Sequence, residues 1–121
     1  MAAPARLRKR LLDYALGLPE AYLDHPWGED VVKVQKKVFV FFGTAGGDEP
    51  GFGVKLPESQ PLALSEPGVT AMSYGLGKAG WVSVRLREAE LPFELLCGWI
   101  DESYRAVAPK KLVARPAEPK A

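Results

Sequence analysis

The stretch that decides the fold is "HPWGEDVVKVQKKVFVFF", which runs from His25 to Phe42. Its second part is dense in valine and phenylalanine, which fit the pleated, half-buried surface of a β-sheet. The polar trio Gln35, Lys36 and Lys37 interrupts this apolar run. We therefore predict two strands joined as a hairpin and entered through the turn-forming segment "HPWGE".

Two later segments show the alternation of a strand with one buried face. In "FGVKL" and "WVSVRL", the residues predicted to face the core are Phe52, Val54, Leu56, Val82, Val84 and Leu86. The residues between them, Gly53, Lys55, Trp81, Ser83 and Arg85, are predicted to face the opposite side. "TAMSY" is expected to pair with "WVSVRL" across the glycine-rich "GLGKAG" (Gly75–Gly80), so the sheet contains a second hairpin.

Three segments have helical periodicity or boundaries. A first amphipathic helix carries Leu7, Leu11, Tyr14 and Leu18 on one face and should end near Gly17. A short helix is predicted between Pro57 and Pro67, and a final helix places Phe93, Leu96, Ile100, Tyr104 and Val107 on one face. The order α-β-β-β-α-β-β-α predicts an α+β domain: an antiparallel sheet of about five strands with helices on one face.

Size and composition limit the class of protein. The 121 residues suit one domain, which we place at residues 1–112, followed by a disordered tail at 113–121. A single cysteine, Cys97, excludes an internal disulfide and is expected to be a buried structural thiol. No apolar segment is long enough to cross a bilayer, so we expect no membrane partner. Because nothing in the cysteine content suggests an oxidising compartment, we expect a cytoplasmic location. The oligomeric state stays open, with a monomer favoured.

The histidine-containing turn is the first candidate for chemistry. His25 is the only histidine, so any histidine-dependent catalytic arrangement must use it. Its acidic neighbours Asp24, Glu29 and Asp30 lack a recognised ligand spacing, and we predict neither a metal nor a cofactor. The structural interpretation assigns the bend to Pro26 and Gly28, a core plug to Trp27, and bonds to loose backbone groups to His25 or Glu29.

The outward sheet face is the second candidate. It is predicted to carry Lys33, Lys55, Trp81 and Arg85, and bases interleaved with an aromatic suit phosphate neutralisation and base stacking. The same pattern is also typical of any half-solvated antiparallel sheet. The leading hypothesis is a non-enzymatic domain that binds DNA or single-stranded nucleic acid. The alternatives are a module that binds a protein partner or a small ligand on the Trp81 face, and an enzyme that uses His25.

Several motifs resemble the MmcQ/YjbR family of small bacterial proteins, whose function is largely unknown. They are "HPWGEDVVKV" followed by "KKVFVFF", then "SYGLGKAGWVSVRL" and "ESYRAVAPKKL", and the resemblance extends from about Leu18 to Leu112. It implies a fold similar to CyaY and frataxin. It also implies DNA binding through two hairpin "wings", which would correspond here to Val31–Phe42 and Met72–Leu86.

The sequence departs from these relatives in two places. Many of them carry asparagine or histidine where this chain has "GLGKAG", so a polar site at that loop is weakened. Frataxin-like iron binding uses an acidic helix, whereas the first helix here contains the basic run "RLRKR" (Arg6–Arg10), so iron is not expected. The segment His25–Glu29, which belongs to the motifs shared with these relatives, is interpreted as a structural clasp between the first helix and the sheet.

Overall fold

Six strands form one antiparallel sheet in the computed structural model, which describes residues 3–43, 50–73 and 75–113. The strands are β1 (Tyr22–Asp24), β2 (Asp30–Val34), β3 (Lys37–Gly43), β4 (Gly51–Lys55), β5 (Val69–Ala71) and β6 (Trp81–Arg85). Their spatial order is β1-β2-β3-β4-β6-β5, and every neighbouring pair is antiparallel. Pairing between consecutive strands explains the order from β1 to β4. β6 then folds back from β5 and inserts between β4 and β5, so β5 lies at the edge.

The helices are α1 (Ala3–Leu16), α2 (Gln60–Ala63), α3 (Phe93–Val107) and α4 (Lys110–Val113). Two short 3₁₀ turns, Pro26–Gly28 and Leu76–Ala79, precede β2 and β6. The long helices α1 and α3 contact each other and the same central strands. The predicted α+β single domain is confirmed. No helix within the described ranges is long and apolar enough to cross a bilayer.

Strand β1 was not predicted from the sequence, and it makes the sheet six-stranded. This strand has three residues and pairs with β2 through Tyr22 opposite Lys33, Leu23 opposite Val32 and Asp24 opposite Val31. A segment this short between two prolines carries too few residues to show a strand periodicity. The segment is extended because it pairs with β2, and its own composition does not indicate a strand.

The core lies between the helices and the inner face of the sheet. It includes Leu11, Val32, Phe39, Val40, Phe52, Val54, Leu56, Val82, Val84, Leu96, Ile100 and Tyr104. The alternation predicted for β4 and β6 is confirmed, because the valines of both strands are fully buried in this cluster. Of the predicted tail, Val113 belongs to α4, and the rest lies outside the described residues, as do residues 44–49 and Tyr74.

The hairpin between β2 and β3 closes through a two-residue turn. Gln35 and Lys36 both have left-handed backbones, with φ of 53° and 70°. Positive φ at both turn positions is the geometry that matches the twist of a tight hairpin, and asparagine-glycine pairs usually supply it. The turn therefore forms as predicted, although from two residues with side chains that disfavour this conformation.

A buried serine fixes α3 to the sheet. Ser103 is 0% exposed, and its hydroxyl donates to the Phe39 carbonyl at 2.6 Å while accepting the Lys55 N–H at 2.8 Å. Phe39 lies where the β2–β3 register shifts, so its carbonyl is available to a partner outside the ladder. This bridge connects the helix to two adjacent strands, β3 and β4.

Candidate functional site

The segment between β1 and β2 connects the first helix to the sheet. The Asp30 carboxylate accepts from Arg8 Nη2 at 2.8 Å and from His25 Nδ1 at 2.9 Å. Arg8 also donates to the Phe42 and Gly43 carbonyls, at 3.2 and 3.3 Å. Because the Arg8 and Asp30 side chains are only 11% and 12% exposed, this network is a largely buried tie between α1, β2 and β3.

The residues predicted to form the clasp have different roles in this network. The His25 side chain is 59% exposed and binds a carboxylate, not the loose backbone groups expected from the sequence. Pro26 begins the 3₁₀ turn, and Gly28 ends it with φ of 79°, which glycine adopts easily. Glu29 is exposed, and the Trp27 side chain lies outside the described part. Within the described residues no three His, Cys, Asp or Glu side chains form a metal-ligating cluster.

Lys33 lies on the predicted outward face but is ion-paired there. Its Nζ lies 2.7 Å from Asp24 Oδ2, and the Lys33 side chain is 22% exposed. The hydrogen bond from Lys33, with a second from the His25 backbone N–H, lowers the pKa of the Asp24 carboxyl. The same contact raises the pKa of Lys33. Both groups are thus held charged, and β1 supplies an acid that compensates this lysine.

Trp81 requires a correction. The alternation assigned it correctly to the face away from the helices, and it lies outside the main core cluster. The expectation of an exposed aromatic is wrong, however, because Trp81 is only 8% exposed. Its ring packs edge-on against Phe41 of β3, with centroids 5.2 Å apart. The open face therefore has its own small apolar cluster, and Trp81 offers little surface for base stacking.

Arg85 lies away from the other predicted site residues. Lys55 is directly opposite Trp81, whereas Arg85 is opposite Gly51 at the other end of the same pair of strands. The four residue-to-residue steps from Trp81 to Arg85 correspond to about 13 Å of extended strand. Arg85 also lies 3.4 Å from Glu88 in an exposed pair. The structure does not bring the four predicted residues together as one site.

The register instead gathers lysines at one end of the sheet. Val40 opposite Val54 places the start of β3 beside the end of β4, and Lys55 opposite Trp81 places the start of β6 there as well. The turn before β6 is held at this end because Leu56 donates its N–H to the Gly80 carbonyl at 2.8 Å. We call this region the lysine end; it comprises Lys33, Lys36, Lys37, Lys55 and Lys78.

Four of these lysines are available to a partner. Lys36, Lys37 and Lys78 are exposed and Lys55 is half-buried. Within the described residues, none of these four has a carboxylate at ion-pair distance.

The basic side chains of the "RLRKR" run differ from these lysines. Lys9 forms an ion pair with Asp13, and the Arg10 guanidinium lies 4.0 Å above the Phe93 ring. These contacts stabilise the first helix and its packing against α3.

An exposed aromatic also lies at the lysine end. Tyr22 is 41% exposed and sits opposite Lys33, at the outer edge of the sheet. Tyr22 was not among the predicted site residues, because it belongs to β1, the strand that was not predicted. The pairing of β1 with β2 brings this ring beside the lysines, and no spacing in the sequence indicates that placement.

Backbone strain coincides with the same region. In the described residues the non-glycine positions with positive φ are Glu20, Gln35 and Lys36. Gln35 Nε2 donates to Glu20 Oε1 at 3.2 Å, so the approach to β1 and the hairpin turn are in contact. The tight hairpin turn accounts for the backbone of Gln35 and Lys36, and strained positions of this kind also cluster at binding sites.

A separate groove crosses the open face of the sheet. It has a volume of about 460 Å³, and its lining includes Phe41, Gly51, Gly53, Met72, Leu76, Ser83, Arg85 and Glu29. A Cβ at Gly53 would overlap the terminal methyl of Met72, so the glycine makes room for that side chain. We call this the open-face groove. Glycines in β4 and the bulky Phe41 beside them create its shape.

Comparison with known proteins agrees with this architecture. A crystal structure of a protein from Pseudomonas syringae matches with a TM-score of 0.64 and 22% identity, over 83% of this chain and 97% of that chain. At that identity the likeness shows the shared α+β fold. No match was found among curated proteins. The sequence model of the YjbR family matches residues 16–106, so the chain belongs to the YjbR family.

Proposed function

We propose that the protein is a non-enzymatic nucleic-acid-binding domain that contacts its ligand through the lysine end. The observation that carries this proposal is the clustering at one end of the sheet of four lysines that have no ion-pair partner among the described residues, in a chain whose net charge is only +1. A nearly neutral protein has no general field that attracts polyanions, so local concentration of charge must do so. The tips of both hairpins contribute to it.

Single-stranded nucleic acid fits this region better than duplex. Lysines neutralise backbone phosphates, and an exposed aromatic ring beside them provides a surface on which an unpaired base stacks. Tyr22 provides such a ring at the sheet edge, where no further strand of the described residues pairs with β1. In this role Tyr22 replaces Trp81, which Phe41 covers.

The backbone of Lys36 supports a role for its side chain. Glycine is the residue that this turn position, with φ of 70°, accommodates without strain. A lysine there costs about 1 kcal/mol relative to a relaxed conformation. The turn thus presents a cation at a position where glycine would be more stable, which supports a binding role for that charge.

The surroundings of three nucleophilic side chains, Cys97, Tyr14 and Ser103, support the non-enzymatic part of the proposal. Burial raises the pKa of the Cys97 thiol to about 11, which leaves little thiolate at neutral pH. Burial and the hydrogen bond to Asp101 raise the pKa of the Tyr14 hydroxyl. The Ser103 hydroxyl is fully buried and occupied by two backbone partners. These groups stabilise packing and are poorly suited to nucleophilic catalysis.

Fluorescence anisotropy with a labelled oligothymidylate, measured over a series of salt concentrations, tests the proposal. Each lysine that contacts a phosphate should contribute about 0.7 to the slope of log affinity against log salt. Lys36→Gln should reduce that slope by about 0.7. Lys9→Gln removes an equal charge from α1 and should leave the slope unchanged. Absence of binding by the parent at low salt, or equal slopes for the two variants, would refute the proposal.

A further inference from the structure

The open-face groove lies apart from the surface proposed for nucleic acid. The backbones of Gly51 and Gly53 contribute to its lining, and Phe41, Met72 and Leu76 supply apolar side chains. Its volume of about 460 Å³ falls within the range of about 300–1,000 Å³ that is usual for small-molecule sites. The lysine-end residues do not line this groove.

Two polar groups on β6 are available in the groove. Ser83 is half-buried, and within the described residues its hydroxyl has no hydrogen-bond partner. The Arg85 side chain is 61% exposed, and its contact with Glu88 is a long, exposed pair at 3.4 Å. Such pairs contribute little to stability, so a ligand anion can replace Glu88 at small cost.

We propose that the open-face groove binds a small monocarboxylate with an aromatic or branched apolar body. The apolar part would contact Phe41, Met72 and Leu76, and the carboxylate would accept hydrogen bonds from Arg85 and Ser83. The guanidinium offers two parallel N–H groups that match the geometry of a carboxylate. Glu29 also lines the groove and disfavours a second negative charge on the ligand, which excludes polyanions from this site.

Met72 gives the groove room to adapt. Its terminal methyl occupies the space that a side chain at position 53 would take. Methionine side chains are flexible and polarizable, so this wall can adjust to apolar groups of different shape. The proposal is independent of nucleic-acid binding, because the two sites share no residue.

An NMR titration of the ¹⁵N-labelled protein with phenylbutyrate and with phenylbutanol, its neutral counterpart, tests this site. Phenylbutyrate should shift the amide signals of Gly51, Gly53 and Ser83, and phenylbutanol should bind about tenfold more weakly. Arg85→Gln should weaken phenylbutyrate binding by about tenfold and leave phenylbutanol binding unchanged. Equal binding of the two compounds by the parent, or unchanged phenylbutyrate binding by Arg85→Gln, would overturn the proposal.

A steric pair of variants provides a second test. Ser83→Leu should fill the groove and abolish phenylbutyrate binding. Thr70 lies directly opposite Ser83 on β5, is exposed and does not line the groove, so Thr70→Leu is the matched control. Thr70→Leu should bind like the parent. Binding by a folded Ser83→Leu variant, or shifts that fall outside the groove, would contradict the assignment.

Discussion

At the scale of single residues, a nearby carboxylate determines whether a lysine is available to bind a ligand. Lys33 and Lys55 look equivalent in the sequence, because each is a lysine within a predicted strand. Among the described residues, Lys33 has an acid 2.7 Å away and Lys55 has none at ion-pair distance, and the acid beside Lys33 comes from the short strand β1. The availability of a charge therefore depends on a strand pairing that periodicity did not indicate.

Removal of the acid should release Lys33 for binding. We expect Asp24→Asn to increase affinity for oligothymidylate at low salt and to steepen the salt slope by up to about 0.7, the contribution of one phosphate contact. Anisotropy titrations measure both quantities. Asp13→Asn changes the net charge equally on α1 and is the control. The same gain in both variants would show that total charge, and not the release of Lys33, is responsible.

A substitution in the hairpin turn should change stability and nucleic-acid binding in opposite directions. Lys36→Gly relieves a left-handed side-chain conformation and should raise the free energy of unfolding by about 1 kcal/mol. The same change removes one cation, so oligothymidylate binding should weaken. Urea unfolding and anisotropy measure the two effects. A variant that is less stable than the parent, or that binds as tightly, would contradict this account of the turn.

At the scale of elements, the structure depends on a few polar bridges between helices and sheet. Asp30 connects α1 to the sheet through Arg8, and Ser103 connects α3 to β3 and β4. The positions of the longer helices and of five of the six strands followed from the sequence pattern, whereas β1 and the short helix α4 did not. These bridges could not be predicted, because each joins residues far apart in sequence through side-chain geometry that only the packed structure defines.

Arg8 and His25 both bind the Asp30 carboxylate, but their removal should lower stability by different amounts. Arg8→Ala breaks a largely buried pair and should lower the free energy of unfolding by about 3 kcal/mol. His25→Ala removes an exposed partner and should cost less than about 1 kcal/mol. Urea denaturation of both proteins provides the comparison. If His25→Ala lowered the free energy of unfolding as much as Arg8→Ala, the prediction would be wrong and the His25–Asp30 contact would matter as much as the Arg8–Asp30 pair.

Acid should weaken the junction between α2 and α3. Glu102 accepts hydrogen bonds from the Ser59 hydroxyl and from the N–H groups of Glu58 and Ser59, at 2.6 to 3.0 Å. Burial alone would raise the pKa of the Glu102 carboxyl, but these bonds outweigh it and lower the pKa from its ordinary value of 4.5. A carboxyl with a lowered pKa stabilises the fold above its ordinary pKa and loses that contribution as the pH falls through the folded value.

The pH dependence can be isolated with one substitution. At neutral pH, Glu102→Gln should lower the free energy of unfolding by about 1 kcal/mol, because charge-assisted hydrogen bonds are replaced by weaker ones. The difference between parent and variant should shrink as the pH falls below 4.5. Urea titrations at several pH values measure this difference. A constant difference from neutral to acidic pH would mean that the carboxylate charge contributes nothing.

At the scale of the whole molecule, the fold could be predicted from the sequence more fully than the candidate site. Alternation in β4 and β6 and the helical faces of α1 and α3 were sufficient for the α+β class and most of the core. The predicted basic-aromatic face was only partly right, since Trp81 is covered and Arg85 is remote. Which lysines share one end depends on strand order and register, and these are nonlocal properties.

The central claim is that the lysine end is the nucleic-acid-binding surface, and an NMR titration with oligothymidylate at low salt tests it most directly. We expect the largest amide shifts in β1, around the turn at Gln35 and Lys36, and at Lys78, with little change in α1. These shifts should disappear at high salt. Shifts concentrated near Arg85 or in α1, or none at any salt concentration, would contradict the claim.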